Sequence, residues 1–223
     1  ALNQRGIVVY ADDHLGHGRS DGERALITDF DQVVDDLSKL ATTARSEHPG
    51  LPLALVGHSM GGLLSARLAQ RSPDEIQGIA FCGSVIGDWQ WARDVIDQPE
   101  LPHVEFDPEA ISRDPAAGES YAADPLVYHG QYKRGLLEAE VRALDAYRRD
   151  NDRLTMPVAV FHGTEDPFVP YQRSVQAAHD MPTEDVTIKV YEGARHELLN
   201  ESNRNEIIGD LTRWLDDLFA NKT

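Results

Sequence analysis

The segment Gly57-His58-Ser59-Met60-Gly61-Gly62 stands where two patterns meet. Before it, Leu53-Ala54-Leu55-Val56 is a short apolar run that reads as a strand. After it, residues 60–71 carry helical signals. A bare G-x-S-x-G is weak evidence, because Gly and Ser are both common. Between a strand and a helix it describes a tight, strained elbow, which demands a sheet whose strand end abuts a helix start. Gly57 and Gly61 are expected to leave room where a side chain would strike the neighbouring strand and helix. His58 occupies the variable position before the serine. The turn would lift the Ser59 hydroxyl clear of the backbone, and the helix would aim its N-terminal N–H groups and positive dipole end at the same place.

The rest of the chain supplies such a sheet. Ile7-Val8-Val9-Tyr10 reads as a strand, followed by a Gly-rich loop from 12 to 22. Residues 28–47 show helical spacing, with Phe30, Val33, Val34, Leu37, Leu40, Ala41 and Ala44 on one stripe and Thr28 as the expected N-cap. Further strands are expected at 77–83, 157–161 and 186–191, and helices at 171–179 and 202–219. Short, apolar, little-alternating strands that alternate with helices predict an α/β fold, with a mostly parallel central sheet flanked by helices. From 86 to 153 the rhythm breaks into Asp, Pro and aromatic residues, with helical spacing only at 136–149. That stretch is too long for an ordinary loop and reads as an inserted cap. The predicted organisation is an α/β core at 1–85 and 154–223, interrupted by a cap at 86–153.

A serine hydroxyl needs a base to take its proton, and the base needs an orienting acid. Two loops at expected strand ends offer them. Residues 157–161 lead into His162-Gly163-Thr164-Glu165-Asp166, and 186–191 lead into Glu192-Gly193-Ala194-Arg195-His196. Asp166 is the expected acid, with Glu165 as its neighbour and alternative, and His196 the expected base. The Met60 N–H is the expected oxyanion donor. His58 and His162 are read as packing or bonding locally, and His14 and His17 as structuring their loop. Trp89 and Trp91 line a substrate pocket or form the cap's own core. Cys82, alone in the apolar run 79–82, reads as an inert core thiol. No cluster has metal-ligand spacing, so neither a metal nor another cofactor is expected.

The formal net charge of −17 disfavours nucleic acid and anionic lipid as partners. A small neutral or apolar molecule suits this balance better, with at most transient membrane contact. With neither a signal peptide nor an anchor evident, a cytoplasmic location is the expectation.

Asp13-His14-Leu15-Gly16-His17-Gly18-Arg19-Ser20, the Ser59 elbow and His162-Gly163-Thr164-Glu165-Asp166 together resemble the monoacylglycerol lipase and lysophospholipase-like branch of the α/β-hydrolases. So do Ser112-Arg113-Asp114-Pro115 and Asp124-Pro125-Leu126-Val127-Tyr128-His129-Gly130 in the cap. The resemblance implies a serine hydrolase acting on a small acyl ester, most simply a monoacylglycerol, through Ser59, His196 and Asp166. A short-chain carboxylesterase or thioesterase, or a non-catalytic ligand-binding homologue, is the alternative. It also implies three strands before Ile7-Val8-Val9-Tyr10, the third lying mid-sheet and followed by a loop that gives the second oxyanion N–H. These are absent from this sequence. Three arrangements accommodate that: a longer gene product, a second copy or separate N-terminal segment completing the sheet, or direct closure between residues 7–10 and 53–56.

Overall fold

The computed structural model describes residues 1–220. Four strands, β1 (Ala54–His58), β2 (Gly78–Cys82), β3 (Val158–Gly163) and β4 (Val186–Tyr191), pair in parallel in the order β1-β2-β3-β4. Every residue of β2 and β3 is buried, as a parallel sheet covered on both faces requires. The outer strands are less covered: Val56 on β1 is 41% exposed, and most of β4 is half-buried.

Among the described residues, seven α-helices accompany the sheet: α1 (Phe30–Glu47), α2 (Met60–Arg71), α3 (Gln90–Ile96), α4 (Pro115–Ala123), α5 (Arg134–Arg149), α6 (Tyr171–His179) and α7 (Arg204–Ala220). Side chains alternate along each strand. One face of the sheet therefore presents Leu55, Ile79, Phe81 and Val160 to a core shared with α1, α2, α5 and α6. The opposite face presents Ala80, Cys82, Ala159 and Phe161 to Ile207, Leu211 and Leu215 of α7. Cys82 is fully buried in this second layer, and burial pushes its thiol up to about 12. It is a core residue.

Three expectations need correction. Helix α1 is capped by Asp29, not Thr28: Asp29 is extended, and its carboxylate accepts from the Asp31 N–H at 3.0 Å. The 86–153 stretch holds two helices beyond α5. The signal for α4 was present, since Asp114 caps it and Pro115 opens it, the first helical position being where the missing N–H of proline costs nothing. Helix α3 has only seven residues, too short for periodicity to show.

The third correction concerns residues 7–10, which form no strand. Among the described residues β1 pairs only with β2, so the sheet does not close directly onto them. They run unpaired between the two helical layers, held by side chains. Arg5 bonds Asp216 on α7, the Tyr10 hydroxyl bonds Glu47 on α1, and Ile7 packs on the α7-side core. Val8 and Val9 stay about half exposed. β-branched residues favour a pleated surface only where a neighbouring strand provides one.

The β1–α2 junction depends on glycine, but not at both positions expected. A Cβ on Gly57 would lie 2.5 Å from the Gly61 oxygen and 2.6 Å from the Gly62 Cα. Gly61, by contrast, has open space around it. The second crowded position is Gly62, where a Cβ would sit 2.2 Å from the Ser84 side chain, and Ser84 is fixed by its hydrogen bond to the Gly57 carbonyl at 2.9 Å. Overpacking of this kind costs about 1–3 kcal/mol. Gly62→Ala is therefore expected to lower unfolding free energy by about that amount, while Gly61→Ala stays within about 1 kcal/mol of the parent; urea unfolding of the two variants side by side measures this.

Candidate active site

The carboxyl ends of all four strands converge on one place. Ser59 follows β1, Gly83 and Ser84 follow β2, Asp166 follows β3 and His196 follows β4. Ser59 has φ 51° and ψ −125°, a left-handed φ that a non-glycine residue adopts only when its surroundings enforce it. The enforcement is visible. The Ser59 N–H donates to the Cys82 carbonyl at 3.2 Å, and the Ser59 carbonyl accepts from Gly62 and Val85 at 3.0 Å each. Met60 opens α2, so its N–H has no intrahelical acceptor and stays available beside the serine.

Asp166 and His196 come together from loops sewn to each other. The Thr164 N–H donates to the Tyr191 carbonyl, the Glu165 N–H to the Ala194 carbonyl, and the Gly193 N–H to the Thr164 hydroxyl at 2.7 Å. A Cβ on Gly163 would lie 2.1 Å from the Ala194 oxygen, so the two loops approach at glycine distance. Across this seam His196 Nδ1 meets Asp166 Oδ2 at 2.8 Å. Glu165, the alternative acid, is exposed, and it is Asp166 that His196 meets.

The Asp166 side chain is fully buried. Burial by itself would raise its pKa. Hydrogen bonds from His162 and His196, with that from the Val169 N–H, outweigh burial and hold the carboxyl well below the usual range. Oδ2 takes His196 and His162, the latter at 3.1 Å. Oδ1 takes the N–H groups of Phe168 at 2.9 Å and Val169 at 3.0 Å. His162 bonds locally, its Nε2 facing both the candidate acid Asp166 and the Val169 carbonyl. Nothing in sequence separates that role from packing.

A second His–carboxylate pair lies alongside. His58 Nδ1 faces the Cys82 carbonyl at 2.9 Å and Nε2 faces Glu197 Oε1 at 3.2 Å. Two acceptors call for two N–H donors, which only the imidazolium has. Burial opposes that charge, but the Glu197 carboxylate prevails and raises the His58 pKa. Reciprocally, burial pushes Glu197 up, and His58 overrides it, bringing the carboxyl down to about 2. The His58 ring stands 4.7 Å from the His196 ring, so this pair packs beside the candidate base. His17 and His14 are in the Gly-rich loop, where the Asp13 carboxylate binds the Arg19 N–H at 2.9 Å.

One series of aromatic rings leads away from His196, and a second lies in the same inserted segment. Phe168 meets His196 edge-on at 5.3 Å and stacks on Phe106 at 5.7 Å, and Phe106 meets Tyr121 at 5.1 Å. Tyr132 meets Trp91 at 5.1 Å, which meets Trp89 at 5.3 Å. Trp89 is buried in the main core, and Trp91 packs against that core while only partly covered. The base of this segment is bolted to the histidine loop through Glu201, whose fully buried carboxylate accepts from Arg113 Nε at 2.9 Å and the Arg195 N–H at 2.8 Å.

The His58–Glu197 pair has a defined pH window. Glu197, with its folded pKa depressed from 4.5 to about 2, contributes stability above pH 4.5 that fades as pH falls towards 2. His58, with its folded pKa raised from 6.5, contributes stability below pH 6.5 that fades as pH rises through the folded value. Glu197→Gln is expected to lower the melting temperature most between pH 4.5 and 6.5, with a smaller difference on either side; melting curves across pH test it.

The profile of the serine aminopeptidase, S33 family matches residues 1–203. A monoacylglycerol lipase of Mycolicibacterium smegmatis is 33% identical over 219 residues, 94% of this chain and 78% of that protein. A monoglyceride lipase of Rattus norvegicus is 28% identical over 98% of this chain and 76% of its own length. The crystal structure of the monoacylglycerol lipase of Paleococcus ferrophilus superposes with a TM-score of 0.83 at 26% identity, covering 97% of this chain and 86% of that one. The profile spans the elbow and both loops that meet at it, and the chain belongs to the serine aminopeptidase, S33 family, in the monoacylglycerol-lipase-like branch of the α/β-hydrolases.

Proposed function

We propose that this chain hydrolyses monoacylglycerols or closely similar small acyl esters, with Ser59 as nucleophile, His196 as general base and Asp166 as orienting acid. The observation that carries the reading is the His196–Asp166 hydrogen bond of 2.8 Å set at the strand ends beside a strained Ser59. His196 takes the Ser59 proton as the hydroxyl attacks the ester carbonyl. Asp166 keeps the hydrogen on Nδ1, so Nε2 is the free base, and stabilises the imidazolium that forms. The Met60 N–H receives the developing oxyanion. His196 then protonates the departing alcohol, and water releases the acyl group by the same path in reverse.

The aromatic series beside His196 favours an apolar acyl group over a peptide. Phe168, Phe106 and Tyr121 lie in series from the catalytic histidine, and such a surface desolvates an alkyl chain at a gain of about 0.8 kcal/mol per methylene. The lipase names of the relatives agree with this reading. Among the described residues, no helix is long and apolar enough to cross a membrane.

Release of glycerol from a medium-chain monoacylglycerol is the direct assay. Ser59→Ala is expected to reduce kcat to background, a fall of about 10⁴-fold or more. Asp166→Asn is expected to lose about 10⁴-fold through the wrong imidazole tautomer. Turnover of short esters without monoacylglycerol cleavage would shift the reading to a short-chain carboxylesterase or thioesterase. Tight ligand retention with no turnover of any ester would shift it to a binding protein.

A further inference from the structure

The proposed nucleophile and base sit on different elements, so their spacing depends on what joins the two. The histidine loop is anchored in several directions. His196 meets Asp166 in the loop after β3, the Glu197 N–H donates to the Ile111 carbonyl of the inserted segment at 2.8 Å, and the Arg195 N–H donates to Glu201 at 2.8 Å. None of these bonds reaches the Ser59 elbow. Among the described residues, one hydrogen bond does: His58 Nε2 meets Glu197 Oε1 at 3.2 Å. His58 immediately precedes the nucleophile in the chain, and Glu197 immediately follows the base.

This bond is held at both ends. His58 Nδ1 faces the Cys82 carbonyl at 2.9 Å, and the same carbonyl accepts from the Ser59 N–H at 3.2 Å. On the other side, Glu197 Oε2 accepts from Asn200 Nδ2 at 2.9 Å. The His58 and His196 rings are packed neighbours, 4.7 Å apart and tilted by 49°.

We propose that His58 and Glu197 are positioning residues, whose hydrogen bond sets the distance between the Ser59 hydroxyl and the His196 imidazole. This rests on the ester-hydrolase reading above. Reacting groups work only near contact distance, and a misplacement of about 1 Å costs about 100-fold. The bond also has a pH range. Two acceptors, the Cys82 carbonyl and Glu197, take two N–H groups, which only the imidazolium supplies. The groups facing His58 are the carboxylates of Glu197 and Asp166, the His196 ring and the Cys82 carbonyl. Burial lowers the His58 pKa, but Glu197, with the Cys82 carbonyl and Asp166, outweighs burial and raises it. Once pH rises through that value, one N–H remains for two acceptors, and the link between elbow and loop weakens. In Glu197→Gln the amide N–H can donate to a neutral His58, so the link survives.

The test is the rate of fluorophosphonate labelling of Ser59 in the full chain, followed from about pH 5 to about pH 10. The final extent of labelling counts the folded sites, and the rate per site reads the positioning. The parent is expected to slow by about tenfold towards the alkaline end. Glu197→Leu is expected to reach full extent at a rate about 10- to 100-fold below the parent's maximum. Glu197→Met, unbranched and adaptable, is expected to do the same and stands in if the Leu variant fails to fold. Glu197→Gln is expected to stay within about threefold of the parent below neutrality and to lack the alkaline fall. A merely structural role would lower the extent and leave the rate per site unchanged. The proposal is overturned by that result, by Glu197→Gln labelling as slowly as Glu197→Leu, or by the same alkaline fall in the parent and Glu197→Gln. Absence of any label at Ser59 in the parent would instead overturn the hydrolase reading beneath it.

Discussion

Holding one carboxylate dry and still ionised is the constraint on which the site depends. Asp166 is buried to the last atom of its side chain, and an isolated charge there would cost several kcal/mol. Four N–H donors meet its two oxygens: two from the backbone of its own loop, one from His162 on β3 and one from His196. Three of them belong to the Asp166 loop and its strand, so most of the cost is offset before the base arrives. The oxygen aimed at His196 keeps its charge, which favours the hydrogen on Nδ1 and leaves Nε2 free for the proposed role of base. A carboxylate on a solvated loop would meet neither condition, and exposed Glu165 shows the difference one residue makes.

Bringing the donors together requires backbone approaches that a Cβ would forbid. Gly57 against Gly61 and Gly62, Gly62 against Ser84, and Gly163 against Ala194 are three such approaches. The first closes the elbow after β1 on itself, the second ties that elbow to the loop after β2, and the third ties the loops after β3 and β4 to each other. The strain on Ser59 is sustained because its N–H and carbonyl are both bonded to β2 and the residues around it. A hydrophobic core packed on both sides of β2 and β3 supplies the rigidity behind these contacts.

Much of this was legible in the chain, for physical reasons that differ by element. Runs such as Ala80-Phe81-Cys82 and Val158-Ala159-Val160 announce themselves because strands covered on both faces have no polar side to interrupt them. Helices α2 and α6 were readable to their terminal residues. Ser59, Asp166 and His196 stood out because each follows such a strand. Other features depend on partners far away in sequence. His162 acquires its role from a residue four positions on, Glu197 from His58, and Gly62 from Ser84, so composition and period carry no trace of them. Residues 7–10 failed in the opposite direction. They have strand-forming side chains, but pairing is a property of two segments, and β1 does not meet them. Gly61 misled because a motif glycine was credited with crowding that belongs to Gly62.

The aromatic segment between β2 and β3 is coupled to the histidine loop more tightly than a separate lid would be. Glu201 accepts from Arg113 on one side and from the Arg195 and Ser202 N–H groups on the other. The Glu197 N–H donates to the Ile111 carbonyl at 2.8 Å, and Ser112 Oγ donates to the Asn200 carbonyl at 3.0 Å. The buried face of α5 is continuous with the core of α1 and α2. Both ends of the segment are thereby pinned, one to the loop that carries the base and the other to the main core. Any opening to admit a substrate must then occur between these anchors, through residues such as Phe106, Leu126 and Tyr128, which already expose more than a third of their surface. Such pinning holds His196 and its supporting core in place, the condition under which an apolar substrate can enter past a mobile rim without disturbing the proposed catalytic geometry.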